Sequence, residues 1–95
     1  MIETILESVA QVYSITTDQI KSKSRVEPIP EARRMAVFFM KAKGVDNNLA
    51  VQSVNRNRVF IYRAIEKVID EIYLYSDVEA KHSQIQQLIE NKLNN

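Results

Sequence analysis

Apolar residues along this chain recur at spacings of three and four, the period of helices with one inward face. Ile2, Ile5, Leu6, Val9 and Tyr13 predict an amphipathic helix over 2–13. Thr16 followed by Gln19 has the form of a capping box, in which hydroxyl and amide each satisfy an orphan N–H. It opens a short helix over about 17–22, with Ile20 inward. Pro28 and Pro30 disfavour helical angles at Glu27 and Ile29, so 23–30 reads as a loop. Pro30 suits the first position of a third helix, about 30–43, whose inward face is Ala32, Met35, Ala36, Phe39 and Met40. Gly44 closes it, with Lys41 and Lys43 well placed in the last turn.

Residues 46–54 predict another short helix, capped by Asp46 or Asn47. Asn55, Arg56 and Asn57 mark a break before a long helix over about 57–74, whose core positions are Ile61, Ala64 or Ile65, Val68 and Ile72. Ser76 with Glu79 has the form of a second capping box, ahead of a last helix over about 77–92 with Val78, Ile85, Leu88 and Ile89 inward. No period-two run is long enough for a strand. The expected fold is all-α: about six helices in a compact bundle, one domain over 1–95.

Composition narrows the class. One glycine and two prolines argue against a disordered or loop-rich chain. Without cysteine there is no disulfide and no thiolate ligand or nucleophile, which suits a cytoplasmic location. The longest apolar run, Met35–Met40, is too short for a bilayer, and the N-terminus lacks the form of a signal peptide. No membrane association is expected. The net charge of +1 hides an asymmetry: residues 1–20 are net −3, 21–67 net +7 and 68–95 net −3. A basic middle between acidic ends suggests one face for a polyanion.

The segment 46–74 has the order of a helix-turn-helix, whose second helix lies in the major groove with its N-terminal residues against base edges. Arg56, Asn57 and Arg58 open that helix; arginine can pair bidentately with guanine and asparagine with adenine. Val59 or Phe60 can meet a thymine methyl, while Arg63 and Lys67 lie further along, in reach of phosphates.

Three segments resemble the C-terminal DNA-binding domain of the bacterial replication initiator DnaA. Residues 4–25 resemble its opening amphipathic helix, Thr-capped short helix and Lys-Ser-Lys-x-Arg segment. Ala32-Arg33-Arg34-Met35-Ala36-Val37 is similar to its Ala-Arg-Gln-Met-Ala-Met, and Ile61–Val68 to the end of its signature, Val-Leu-His-Ala-x-x-Lys-Ile. The likeness runs over about 2–75, in order. It implies a helix-turn-helix of the Trp-repressor and DnaA C-terminal type that binds double-stranded DNA in replication or transcription control. It also implies that Arg25 enters the minor groove, that Arg33 helps hold the DNA, and that Arg56 opens the reading signature. Lys21, Lys23, Lys41, Arg63 and Lys67 join Arg33 as expected phosphate contacts.

The signature itself departs from the family. Its Arg-Asp-His-Thr/Ser-Thr reads Arg56-Asn57-Arg58-Val59-Phe60 here, and the preceding Gly-Gly is lost. Leu49, Val51 and Val54 only loosely replace the family's Leu-x-x-Ile-Gly. The family's target sequence therefore does not transfer, and no Gly-rich phosphate loop accompanies the domain.

The alternative is a protein-interaction module that keeps the fold without base readout, docking through an apolar patch around Phe38, Val59 and Phe60. Arg33 and Arg34 have an ion-pairing alternative with acids such as Glu31, and Arg56, Asn57 and Arg58 an ordinary capping and surface one. Phe38, Phe39 and Phe60 read as core or half-buried residues, and Tyr73 and Tyr75 as packed on the last helix. His82 falls near an apolar stripe; a lone histidine without cysteine is no metal site. No catalytic set, cofactor or small-molecule substrate is expected.

Overall fold

The computed structural model describes residues 1–94. Six helices follow one another: α1 (Ile2–Tyr13), α2 (Thr17–Lys21), α3 (Ile29–Ala42), α4 (Asn47–Ser53), α5 (Arg58–Leu74) and α6 (Ser76–Leu93). There is no strand among the described residues, so the fold is all-α as the apolar spacing predicts. No described helix is long and apolar enough to cross a membrane.

Helix α3 is the hub, packing on α1, α2, α4 and α5, while α6 closes the far side against α1 and α5. A helix with neighbours on most sides must be apolar on most sides. Accordingly Ala32, Met35, Ala36, Val37 and Met40 are all completely buried and Phe39 nearly so. Ile5, Leu6 and Val9 of α1, Ile20 of α2, Ala50 and Val51 of α4, Ile61, Ala64 and Val68 of α5, and Val78, Ile85 and Ile89 of α6 join them in the core.

Local chemistry sets the helix ends. Thr16 and Gln19 form the capping box that opens α2. The Asp46 carboxylate accepts from the amides of Asn48 and Leu49 at the start of α4. Helices α1, α3 and α4 end alike: a left-handed residue (Ser14, Gly44, Asn55) is followed by a residue whose N–H reaches back to the carbonyl of Ala10, Met40 or Val51. This pairing satisfies carbonyls that a helix end leaves orphaned. Only the α3 stop uses glycine, and asparagine is the side chain that best tolerates the same geometry in α4.

Three expectations are corrected here. The Ser76–Glu79 capping box does not form, because α6 begins at Ser76 itself and Tyr75 is the sole residue between α5 and α6. Ser76 is thus inside the helix, and the Tyr75 carbonyl accepts from the Glu79 amide. Helix α3 starts at Ile29, which moves Pro30 to its second position, where the missing N–H is still harmless. Tyr73 and Tyr75 do not pack on α6: they are 88% and 53% exposed. Tyr73 lies eleven residues from Tyr62, three helical turns on, and so shares its outward stripe opposite Ile61, Ala64 and Val68.

Polar ties join the helices around this core. The Tyr13 hydroxyl donates to Glu31 Oε2 at 2.6 Å, and the Lys81 ammonium lies 4.9 Å from the Tyr13 ring centroid and 3.8 Å from Glu31 Oε2. Burial, then the hydrogen bond to Glu31, holds the phenol above its ordinary range, so it stays a donor. Arg34 pairs with Glu71 at 3.2 Å and more loosely with Glu27, linking α3 to α5; Glu31 is not its partner.

His82 stacks on Phe39, with ring centroids 4.9 Å apart, and meets Phe38 edge-on at 5.6 Å. Burial lowers its pKa below 6.5, with Glu79 opposing in part. The folded state therefore prefers neutral imidazole, and its contribution is complete above the unfolded value of about 6.5 and declines as pH falls below it. Thermal melts between pH 7.5 and 5 should show a loss of melting temperature that His82→Phe, which keeps an aromatic ring in the stack, reduces. An identical pH dependence in the variant would remove His82 from the account.

Candidate nucleic-acid interface

Of the basic residues singled out from the sequence, Lys21 ends α2, Arg33 and Lys41 belong to α3 and Lys67 lies further along α5, while the other five fall on two pieces of backbone that the fold brings together. One is the loop 22–28 between α2 and α3; the other is the turn 54–57 and the first two turns of α5. The Asn55 side-chain amide donates to the Lys21 carbonyl at 2.9 Å, and Arg56 Nη2 to the Ser22 carbonyl at 3.3 Å. The loop carrying Lys23 and Arg25 thus lies against the turn that leads into Arg58, more than thirty residues later in sequence.

The loop holds its shape through side chains. Ser22 Oγ donates to the Gln19 carbonyl and accepts from the Ser24 amide, and Ser24 Oγ accepts from the Val26 amide. From beneath, Arg33 Nε donates to the Ile20 carbonyl at 2.8 Å, and Arg33 Nη2 to the carbonyls of Ser22 at 2.6 Å and Ser24 at 3.2 Å. Above this support Lys23, Arg25 and Val26 are exposed.

Arg33 is where the geometry departs furthest from the expected site. It is 3% exposed, sharing its helix face with the fully buried Val37 and Met40. Its guanidinium is turned toward three backbone carbonyls and is not presented to a phosphate. Burial first, then the nearby charges of Arg56 and Arg34, lowers its pKa, though an arginine remains protonated. Arg56 is half-buried and also directed inward: besides Ser22 its Nη1 donates to the Asn55 carbonyl at 3.0 Å, and its guanidinium lies 5.9 Å from the Phe60 ring centroid.

The other predicted residues stand outward. Asn57, Arg58, Val59, Arg63 and Lys67 are exposed. Asn57 occupies the N-cap of α5 but makes no capping hydrogen bond, so its amide is free for another partner. Lys41, at the end of α3, donates to Asn47 Oδ1 at 2.6 Å while staying exposed. Lys21 lies 3.9 Å from Glu3, a solvent-screened pair of little strength. Among the described residues Lys23, Arg25, Arg58, Arg63 and Lys67 have no carboxylate within 4.0 Å. Helix α5 changes character along its length: basic at Arg58 and Arg63, then mixed, with Glu66 and Asp70 beside Lys67.

Two residues of this surface were not singled out from the sequence. Tyr62, 64% exposed, sits one turn beyond Arg58 on the outward stripe of α5; counting outward from the Ile61, Ala64 and Val68 face would have found it. Asn55 is the left-handed stop of α4 and the tie to the loop; its place after a short helix carried the first signal, but nothing in the sequence points to Lys21. The apolar patch proposed around Phe38, Val59 and Phe60 is reduced, since Phe38 and Phe60 pack against the core and only Val59 is exposed.

A short helix, a tight turn and a long helix with a cationic start thus stand beside a cationic loop. Over 92 residues the chain is 27% identical to the chromosomal replication initiator protein DnaA of Porphyromonas gingivalis, from both strain ATCC 33277 and strain W83. The alignment takes in 95% of this chain but only 20% of the relative, so the chain spans a fifth of the length of these initiators. No family model matches the chain.

Proposed function

We propose that this chain binds double-stranded DNA through a helix-turn-helix formed by α4, the turn 54–57 and α5. The observation that carries the reading is the joining of the Arg25 loop to the start of α5 by Asn55 and Arg56. It sets two exposed cationic elements side by side, as minor- and major-groove contacts must be. The start of α5 enters the major groove, where Asn57 and Arg58 meet base edges and Val59 and Tyr62 offer apolar contact to thymine methyls. Arg25 lies in the adjacent minor groove, whose negative potential favours arginine. Lys21, Lys23, Lys41, Arg63 and Lys67 face phosphates and fix the register.

Similarity to an initiator over nearly the whole chain supports a role in replication or another DNA transaction. Here the work is recognition without catalysis, and the altered signature assigns this chain its own target sequence. A second reading as a protein-interaction module gains support from a different surface, the exposed Ile69, Tyr73, Leu74 and Tyr75 at the α5–α6 corner.

The test is a fluorescence-anisotropy titration of a random-pool duplex with wild type, Arg58→Ala and Arg25→Ala. Each substitution should weaken binding by about 1–3 kcal/mol. Selection from the pool should then yield a preferred site whose preference relaxes in Arg58→Ala. Full affinity in both variants would sink the assignment of these side chains.

A further inference from the structure

Arg56 stands where the family resemblance places a reader, yet its guanidinium is turned into the protein. Asn55 beside it has its side chain on the Lys21 carbonyl. The Ser22 carbonyl is the joint of the arrangement, accepting from both Arg33 Nη2 at 2.6 Å and Arg56 Nη2 at 3.3 Å. One arginine comes from the hub helix, the other from the turn, and both close on the same loop atom. A loop without glycine, braced by Ser22 and Ser24, is thereby fixed from two sides while Arg25 stays exposed.

From this we infer that Asn55 and Arg56 are positioning residues that lock the Arg25 loop to the start of α5, so that the minor- and major-groove contacts engage DNA as one rigid unit. The inference rests on the DNA-binding reading and goes beyond it, because it moves Arg56 from base reading to geometry. The physical advantage is preorganisation. A mobile loop must be ordered at each encounter, and that cost is subtracted from what its arginine contributes. Two contacts on one rigid body instead raise each other's effective concentration.

The variant pair Asn55→Gly and Arg56→Met isolates the lock. Glycine keeps the left-handed turn that Asn55 adopts at φ 58° and removes only the side-chain bond. Methionine keeps an apolar stem over Phe60 and removes the guanidinium. The cost of Arg25→Ala is then measured by anisotropy in wild type and in the double variant. Backbone amide relaxation of Lys23–Glu27 is recorded in both without DNA. The expected result is an Arg25→Ala cost of about tenfold in wild type that falls to about threefold or less once the lock is removed. Loop order should be lost in the double variant while α5 stays ordered. A structural staple alone would lower the melting temperature and leave the Arg25 cost unchanged. That outcome, or an unchanged loop, overturns the inference while leaving the DNA reading intact. Failure of wild type to bind any duplex overturns both.

Discussion

Replacing Arg33 with methionine should destabilise the fold by about 3 kcal/mol, the largest effect expected of any charged residue in the chain. Arg33 is 3% exposed, and its guanidinium holds the carbonyls of Ile20, Ser22 and Ser24. Methionine preserves most of the packing of the arginine stem. A carbonyl buried without a donor costs about 1–3 kcal/mol; the Ile20 carbonyl is buried and the Ser24 carbonyl partly so, while Ser22 retains a partner, Arg56. For a domain of this size each kcal/mol lowers the melting temperature by about 4–8 °C, so calorimetry should record a drop of roughly 12–24 °C. Arg58→Ala, an exposed change, should stay within about 0.5 kcal/mol of wild type. Equal melting temperatures for Arg33→Met and wild type would mean that the carbonyl triad does not hold the loop. Loss of DNA affinity in Arg33→Met is expected as well, but through the loop and not through a lost phosphate contact.

Arg33 also illustrates where the sequence stops being legible. Helical periodicity, with capping signals for the two short helices, identified all six helices and most of the core, because burial of one face per helix is a local, repeating constraint. It placed Ile20, Met35, Met40 and Ile85 inside, and all are fully buried. What it could not reveal is which helix lies at the centre. Helix α3 is surrounded, so its Arg33 position is interior even though a charged residue there reads as surface. Tyr73 failed in the opposite sense: an aromatic near a helix end reads as packing, yet its place on the outward stripe leaves it exposed. The candidate interface divides along the same line. Arg25, Asn57, Arg58 and Arg63 were identified as residue types in a basic stretch, and they stand outward. Arg56 belongs to the same stretch, but its orientation depends on a loop carbonyl 34 residues earlier. Long-range hydrogen bonds of that kind leave no periodic trace in the chain.

The second large effect concerns binding itself. With Lys21, Lys23, Lys41, Arg63 and Lys67 on phosphates, about five condensed counterions leave the duplex on association, and the log of the binding constant should fall against the log of salt with a slope near −4.5. Between 50 and 200 mM salt that amounts to a roughly 500-fold loss of affinity. Neutralising one phosphate contact, as in Lys23→Gln, should reduce the slope by about one and weaken all sequences alike, whereas Arg58→Ala should change sequence preference as well. Docking through the apolar corner at Ile69, Tyr73 and Leu74 would show neither pattern, since burial of apolar surface is little weakened by salt.

The measurement that bears most directly on the central claim is therefore the salt dependence of duplex binding by the wild-type chain, followed by anisotropy from 50 to 200 mM salt. Binding at the low end and a steep linear decline of log affinity with log salt, near −4.5, are expected. Absence of binding at 50 mM, or an affinity that does not change with salt, would contradict that claim.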